Sequence, residues 1–567
     1  MTTQLETRPT TTVANDFLSG VRIAARGVSR VLRSGAHILS NVSLTIEPGQ
    51  LVAMIGASGA GKTTLLETLA GLRRPSSGQV EIDGWDLHRH REAFRAALGY
   101  VPQDDIIHRD LPVRSTIRHA ARLRLPGLTD AERERVVERT IDVLGLTERA
   151  TTVVGRLSGG QRKRVSIAVE LLTRPRAFFL DEPSSGLDPG SARKLLATLR
   201  TLADRGSTIV MTTHNPDDVE HCDQVIVLGR GGRLVFQGAP RDAVAHFGVE
   251  DVADIYRVLA DEPGTVHQAP LLDQFDQFGP SRQPSADPPL PTTRTPYRRQ
   301  WAALCRRNLE VLTRNRLTLA IMLGAPLLVV TMFVVLFRPG AFDPQVGDPL
   351  AAVGITYWLA FGAFFFGLTY GLLQVCTEIA VVRRERHVGL GLGPYVLAKV
   401  TVLVPVLFAV NAAMVIALAA TGRLPDLGWS TGAALLGVLV LDAVAALALG
   451  LLASAAVADP SHATLALPML CFPAVLFGGA VLPVQAMATV GRLISAVTSD
   501  RWAFEAIGRV LHVGTRFASG SDGSIVAQQH GNAFAGGLAW HVIILGLFTA
   551  AFLAAAVRVL DRRTAAG

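Results

Sequence analysis

Lysine is nearly absent from this chain of 567 residues: Lys62, Lys163, Lys194 and Lys399 stand against fifty-one arginines. Cysteine is as scarce. Cys222, Cys305, Cys376 and Cys471 are scattered, with no CxxC pair and no histidine at zinc spacing. That excludes a disulfide scaffold and a zinc module, and leaves the four as small apolar side chains. Charged residues make up only 18% of the chain against 49% hydrophobic, below the roughly 25% charge of soluble domains, which excludes disorder. The first thirty residues hold no continuous apolar run, so no secretory signal peptide is present and the N-terminus is expected in the cytosol. The net charge of +8 comes largely from arginines flanking apolar stretches, which points to a membrane and away from nucleic acid. Arginine in place of lysine, with abundant alanine, suggests a GC-rich and therefore bacterial genome.

The charge is concentrated in the first half of the chain. Residues 1–20 read as a flexible tail. Over 21–260, short apolar runs (Leu51–Ile55, Ala177–Leu180, Thr208–Thr212, Val225–Leu228) alternate with helical patterns, which predicts an α/β domain with a parallel sheet. Residues 261–296, rich in Pro, Ser, Thr, Gln and Asp, form a linker. Residues 297–316 place Trp301, Leu304, Cys305, Leu309 and Leu312 on one helical face, with Arg298, Arg299, Arg306, Arg307 and Arg314 around it. This is an amphipathic connecting helix, lying either on lipid headgroups or in a protein core.

Residues 317–567 predict an all-α membrane domain of six spans, near Leu317–Phe337, Val353–Cys376, Val400–Ala420, Ser430–Val457, Thr464–Pro483 and Leu538–Val557. Each approaches the roughly 20 residues that cross a bilayer core. An even number puts both termini on the cytoplasmic side with the arginine clusters. The segment between spans five and six, with Arg492, Arg501, Arg509 and Arg516, sits uneasily with that topology because it must then be external. Asp442 falls midway along the fourth span, where an acid is either functional or a protonated or hydrogen-bonded structural group. Phe361, Phe364, Phe365 and Phe366 either line a cavity or pack.

Three strings carry chemistry. Directly after the strand Leu51–Ile55 stands GASGAGKT, Gly56 to Thr63, followed by Thr64 and an apolar helix. Such a loop wraps a phosphate chain with its backbone amides, Lys62 reaches the outer phosphates and Thr63 suits Mg²⁺. The strand AFFL ends in Asp181 and Glu182; the first suits Mg²⁺, the second polarises an attacking water. LSGGQRKR, Leu157 to Arg164, opens a second helix at Ser158, another N-terminus suited to an anion.

Taken in order, these strings resemble the nucleotide-binding domain of an ABC transporter, over residues 21–250. GYVPQDD, with Gln103, matches the Q-loop; Ser185-Gly186-Leu187-Asp188 matches the D-loop; His214 matches the switch histidine. The resemblance implies an α/β P-loop NTPase followed by an all-α six-helix membrane domain. It implies ATP and Mg²⁺ as cofactors, with Gly56, Ala57, Ser58, Gly59, Ala60, Gly61, Lys62, Thr63 and Thr64 around the phosphates. Thr63, Gln103 and Asp181 would hold the metal; Glu182, His214, Lys62 and Gln103 would serve hydrolysis. Ser158, Gly159, Gly160, Gln161 and Asp188 would meet the nucleotide of a second chain. The aromatic that many relatives stack on adenine is replaced near Val31 and Leu32 by aliphatic residues, so a preference for ATP over GTP does not follow. ATPase first and membrane domain second, with RRERHVGLGLGPYVLAK and FGGAVLP…SDRWAFEAI, resembles the G subfamily of half-transporters and actinobacterial ATPase–permease fusion exporters.

That resemblance implies a homodimer, or a heterodimer with a second half-transporter, in a bacterial plasma membrane. It would export a small amphipathic lipid, glycolipid or drug-like molecule. A lipid-linked saccharide exporter and a membrane-anchored regulatory ATPase are the alternatives. The loop Glu378–Pro394 is expected to couple the two halves, with Glu378, Arg383, Arg384, Glu385 and Arg386 paired to charges near the Q-loop, or else simply to hold positive charge in the cytosol.

Overall fold

The computed structural model describes residues 20–32, 34–261, 295–517, 529–531 and 533–565. It divides into two units, Met1–Thr295 and Pro296–Gly567. The expected N-terminal tail, up to residue 19, and residues 262–294 of the expected linker lie outside the described residues.

The first unit runs β1 (Ile23–Val31), β2 (His37–Ile46), β3 (Leu51–Gly56), α1 (Lys62–Leu69), β4 (Ser77–Ile82), β5 (Trp85–Asp86), α2 (Arg91–Phe94) and β6 (Leu98–Val101). It continues with α3 (Val113–Arg124), α4 (Asp130–Val143), α5 (Gly159–Leu171), β7 (Ala177–Leu180), α6 (Pro189–Asp204) and β8 (Thr208–Thr212). It closes with α7 (Pro216–Glu220), β9 (Gln224–Gly229), β10 (Arg233–Gly238), α8 (Pro240–Phe247) and α9 (Val252–Asp261). An antiparallel sheet has the order β2-β1-β4-β5, and the main sheet the order β10-β9-β3-β8-β7-β6. In the main sheet every pairing is parallel except β10 on β9. All four expected strands are present as β3, β7, β8 and β9.

β3 is buried on both faces, as its unbroken apolar run requires. Leu51, Ala53 and Ile55 enter one core with the helices α3, α5 and α6, while Val52 and Met54 enter a second with α1 and β2. Parallel pairing has a consequence for function. β3, β8, β7 and β6 are neighbours, so the loops leaving their C-terminal ends emerge side by side, the usual place for a ligand in such a sheet.

The second unit comprises α10 (Tyr297–Arg314), α11 (Arg316–Leu336), α12 (Pro349–Leu372), α13 (Ile379–His387), α14 (Leu392–Ala420) and α15 (Trp429–Ala456). It ends with α16 (Pro460–Phe477), α17 (Thr489–Ala496), α18 (Ser499–Val510), α19 (Val513–Arg516) and α20 (Ala539–Ala565). Among the described residues five helices, α12, α14, α15, α16 and α20, are long and apolar enough to cross a membrane. The first expected span corresponds to α11, a helix of 21 residues. Small residues bring α12 and α15 close together: a Cβ on Gly367 would overlap the carbonyl of Ala443, and one on Gly371 would lie 2.6 Å from that of Leu447. Phe364 and Phe366 are buried in packing, the first against Ala446 and Ala474.

The connecting helix is packed in part against its own unit. Leu304 is fully buried, the Trp301 indole donates to Thr401 Oγ1 at 3.1 Å, and Arg307, expected among the exposed cations, is buried in an ion pair with Glu385. On the same face Leu309 is 54% exposed, so only part of it is packed within the unit. Several of the coupling-loop charges have partners within the unit. Glu378 takes Lys399 at 2.9 Å and the Tyr395 hydroxyl at 3.0 Å, and Arg386 pairs with Asp561. Glu378, Glu385 and Arg386 thus each have a partner inside this unit.

Between α16 and α20 the four arginines are occupied locally. Arg492 donates to the carbonyls of Met487 and Gln485, Arg509 to those of Ala533 and Gly537, and Arg516 to that of Leu511; Arg501 pairs with Glu505. Asp442 is fully buried, and neither of its carboxyl oxygens has a hydrogen-bond partner among the described residues.

Candidate functional site

The loop Ala57–Gly61 joins β3 to α1. Gly61 caps α1 at φ 91°, and a Cβ there would sit 2.7 Å from the Ile38 carbonyl, so glycine is required on both counts. The Lys62 ammonium lies inside the loop, donating to the carbonyls of Gly56 at 2.8 Å and Ala57 at 3.1 Å. Burial pulls it below the ordinary lysine range, and the charges of Glu182 and Asp181 oppose that pull. Ser58, Gly59 and Thr63 remain exposed on the open side of the loop.

Asp181 and Glu182 follow β7 directly. Asp181, 4% exposed, accepts from the Thr212 hydroxyl at 2.6 Å and the Thr63 hydroxyl at 3.2 Å, which ties the ends of β7, β8 and α1 to one carboxylate. The backbone N–H of Glu182 donates to Thr212 Oγ1 at 2.8 Å, and the residue holds φ 43°, a left-handed conformation uncommon outside glycine. Its carboxylate accepts from Gln103 Nε2 at 3.1 Å, and His214 Nδ1 stands 3.5 Å from the same oxygen. Six predicted residues, Lys62, Thr63, Gln103, Asp181, Glu182 and His214, thus gather at one edge of the sheet.

The remaining predicted residues group around the starts of α5 and α6. Ser158 caps α5 by accepting from the Gln161 N–H at 3.3 Å, and the Gln161 side chain accepts in return from the Ser158 N–H at 3.1 Å. Asp188 caps α6 through the Ser191 N–H at 3.0 Å. A Cβ on Gly160 would lie 3.1 Å from that of Ser191, so the two helix starts are close-packed. Among the described residues no hydrogen bond joins this second group to the first. Ser158 and Asp188 are exposed, at helix N-termini that favour an anion.

Two buried charges that the motifs passed over hold the site's loops. Lys163 donates to the carbonyls of Pro102 and Gln103 at 2.9 and 2.8 Å. Asp218, fully buried, accepts from Ser184 at 2.5 Å, Thr213 at 2.6 Å and Asn215 at 3.3 Å, joining the loop after Glu182 to the loop around His214. One signal for Lys163 was available. In a chain that writes almost every cation as arginine, three of its four lysines are partly or fully buried, Lys62, Lys163 and Lys399, where a compact point charge fits and a guanidinium fork does not.

The residues fit a nucleotide with its metal. Thr63 and Asp181 bring a hydroxyl and a carboxylate within 3.2 Å beside the glycine loop. Among the described residues no three His, Cys, Asp or Glu side chains converge on a metal. A divalent ion here would therefore share its coordination with phosphate oxygens, as Mg²⁺ commonly does. Position 32, where an adenine platform was sought, is an exposed leucine.

Comparison with known proteins agrees with this geometry. Residues 39–185 match the ABC transporter family model and residues 299–510 the ABC-2 type transporter model. The ABC transporter ATP-binding/permease protein Rv1747 of Mycobacterium tuberculosis is 34% identical over 505 residues, covering 85% of this chain and 56% of that protein. ABC transporter G family member 7 of Arabidopsis thaliana is 29% identical over 524 residues, covering 84% of this chain and 71% of that protein. Among solved structures, cbiO1 from Clostridium perfringens is 28% identical, with a TM-score of 0.37, over 42% of this chain and 95% of that one. The chain thus spans little more than half the length of the first of these relatives.

Proposed function

Because the chain belongs to the ABC transporters, an ABC ATPase followed in one polypeptide by an ABC-2 type membrane domain, we propose that it hydrolyses ATP to export a small amphipathic molecule, a lipid, glycolipid or drug-like compound. The observation that carries this reading is the convergence of Lys62, Thr63, Gln103, Asp181, Glu182 and His214 on one sheet edge, in a chain that also supplies membrane-length helices.

In this reading the glycine loop and Lys62 hold the phosphates, and Glu182 orients and polarises the attacking water. Gln103 and His214 fix the Glu182 carboxylate and face the γ-phosphate. Thr63, Asp181 and Gln103 would hold Mg²⁺, which would supply charge neutralisation. Ser158, Gly159, Gly160, Gln161 and Asp188 meet the nucleotide of a second chain, most simply another copy, so that two chains enclose two nucleotides. The two groups of residues, each open to solvent and neither complete, support this arrangement. Within the membrane unit α13 is tied to α10 by Arg307–Glu385, to α14 by Glu378–Lys399 and to α20 by Arg386–Asp561, so a displacement of α13 moves the spans. The chain sits in the bacterial plasma membrane with the ATPase unit and both termini cytoplasmic.

The test is the protein in lipid vesicles, wild type against Glu182→Gln. ATP-dependent, Glu182-dependent movement of fluorescent lipid or amphipathic dye is expected. Hydrolysis without movement of any lipid or drug offered would instead mark a membrane-anchored regulatory ATPase.

A further inference from the structure

Lys163 lies on α5, two residues beyond the Gln161 that completes the cap at Ser158, and is 5% exposed. An ammonium carries three donors. Two of these go to successive backbone carbonyls, Pro102 at 2.9 Å and Gln103 at 2.8 Å. A buried cation is costly unless its hydrogen bonds are met, so these carbonyls cannot drift from α5 without exposing an unpaired charge. The grip is on the backbone of the residue whose side chain, 3.1 Å from Glu182 Oε2, reaches the hydrolytic carboxylate. A continuous path therefore runs from Ser158 along α5 to Lys163, Gln103 and Glu182. The Lys163 charge also acts on Asp105, Asp181, Asp104 and Glu182.

We propose that Lys163 is a positioning residue through which the start of α5, engaged by one nucleotide, sets Gln103 and hence Glu182 at the other. This rests on the two-chain reading above and adds a device within each chain that links the two sites. Because Lys163 is buried, its contacts to the two carbonyls form in a weakly screened setting.

The test uses the full chain in lipid nanodiscs, with ATP hydrolysis measured across ATP concentration. Lys163→Met keeps the apolar stem and removes the ammonium. It is expected to lower kcat by about 10- to 100-fold, the scale of a small misplacement of a reacting group. Its KM for ATP should change by less than about twofold, since the glycine loop is untouched. Any cooperativity in ATP seen in the wild type should be lost. Lys163→Arg, which keeps the charge but brings a bulkier fork, should fall between the two, and Lys194→Met, at an exposed position, should match wild type. The inference is overturned if Lys163→Met keeps the wild-type kcat, or loses ATP binding in step with kcat, the mark of a merely structural role. A wild-type chain that splits no ATP would overturn the two-chain reading itself, and this inference with it.

Discussion

Gln103 Nε2 donates to Glu182 Oε2 at 3.1 Å, across 79 residues of sequence, while His214 Nδ1 approaches the same oxygen to 3.5 Å. Glu182 is therefore held from two strand ends, β6 and β8, while standing on a third. Glu182→Gln keeps the shape and removes the base. Hydrolysis should fall by about 10²- to 10⁴-fold, with ATP binding retained, and a filter-binding assay beside a phosphate-release assay separates the two. Equal loss of both would show that Glu182 shapes the site rather than acting in it.

Asp218 should prove as important to turnover as residues inside the motifs. Asp218→Asn replaces one acceptor oxygen by a donor facing the Ser184 and Thr213 hydroxyls or Asn215. Leaving such buried groups unmatched costs about 1–3 kcal/mol. The expected result is a lower melting temperature and a lower kcat together, because the loops after Glu182 and around His214 lose their common anchor. Unchanged kcat in a folded variant would dismiss the role.

The pair Arg307–Glu385 is buried at both ends, at 2% and 6% exposure. Glu385→Gln strands a buried guanidinium and should destabilise the membrane unit by about 3–5 kcal/mol. Removing both charges, with Arg307→Met and Glu385→Leu, should restore most of that loss. A thermal double-mutant cycle in detergent measures it, and additive losses would contradict the pairing.

Glu505, on α18 outside the candidate spans, gives a pH signature. Burial alone would raise its carboxyl, but the His541 contact at 3.1 Å and the Arg501 pair at 2.9 Å outweigh that and hold it below its ordinary value of 4.5. A depressed carboxyl contributes stability that is present above the ordinary value and lost as pH falls through the lowered one. Wild type should therefore lose melting temperature below pH 4.5, with Glu505→Gln lower at neutral pH and flatter in acid. Parallel curves for the two proteins would count against the assignment.

Much of this was legible in the sequence because it is local. Strands β3, β7, β8 and β9 announced themselves as short apolar runs, the P-loop as glycines between a strand and a helix, and the membrane helices as length and hydropathy. Contacts closed over long sequence separations were not legible. Glu385 finds Arg307 at 78 residues and Arg386 finds Asp561 at 175, pairings that a local reading of these charges does not show. The arginines between α16 and α20 are met by backbone carbonyls and, for Arg501, by Glu505, partners that no sequence signature marks. Lys163 and Asp218 were missed for a related reason: the carbonyls of Pro102 and Gln103, and the Ser184 hydroxyl, lie on other loops that no spacing rule joins to them.

The central claim, that each nucleotide is enclosed by the glycine loop of one chain and the Ser158 segment of another, is tested most directly by mixing two inactive chains. Lys62→Ala and Ser158→Phe should each abolish hydrolysis alone. Co-assembled in one bilayer, they create dimers in which one of the two sites has an intact glycine loop facing an intact Ser158 segment. The account predicts that ATP hydrolysis returns on mixing; a mixture as inactive as either chain alone would contradict it.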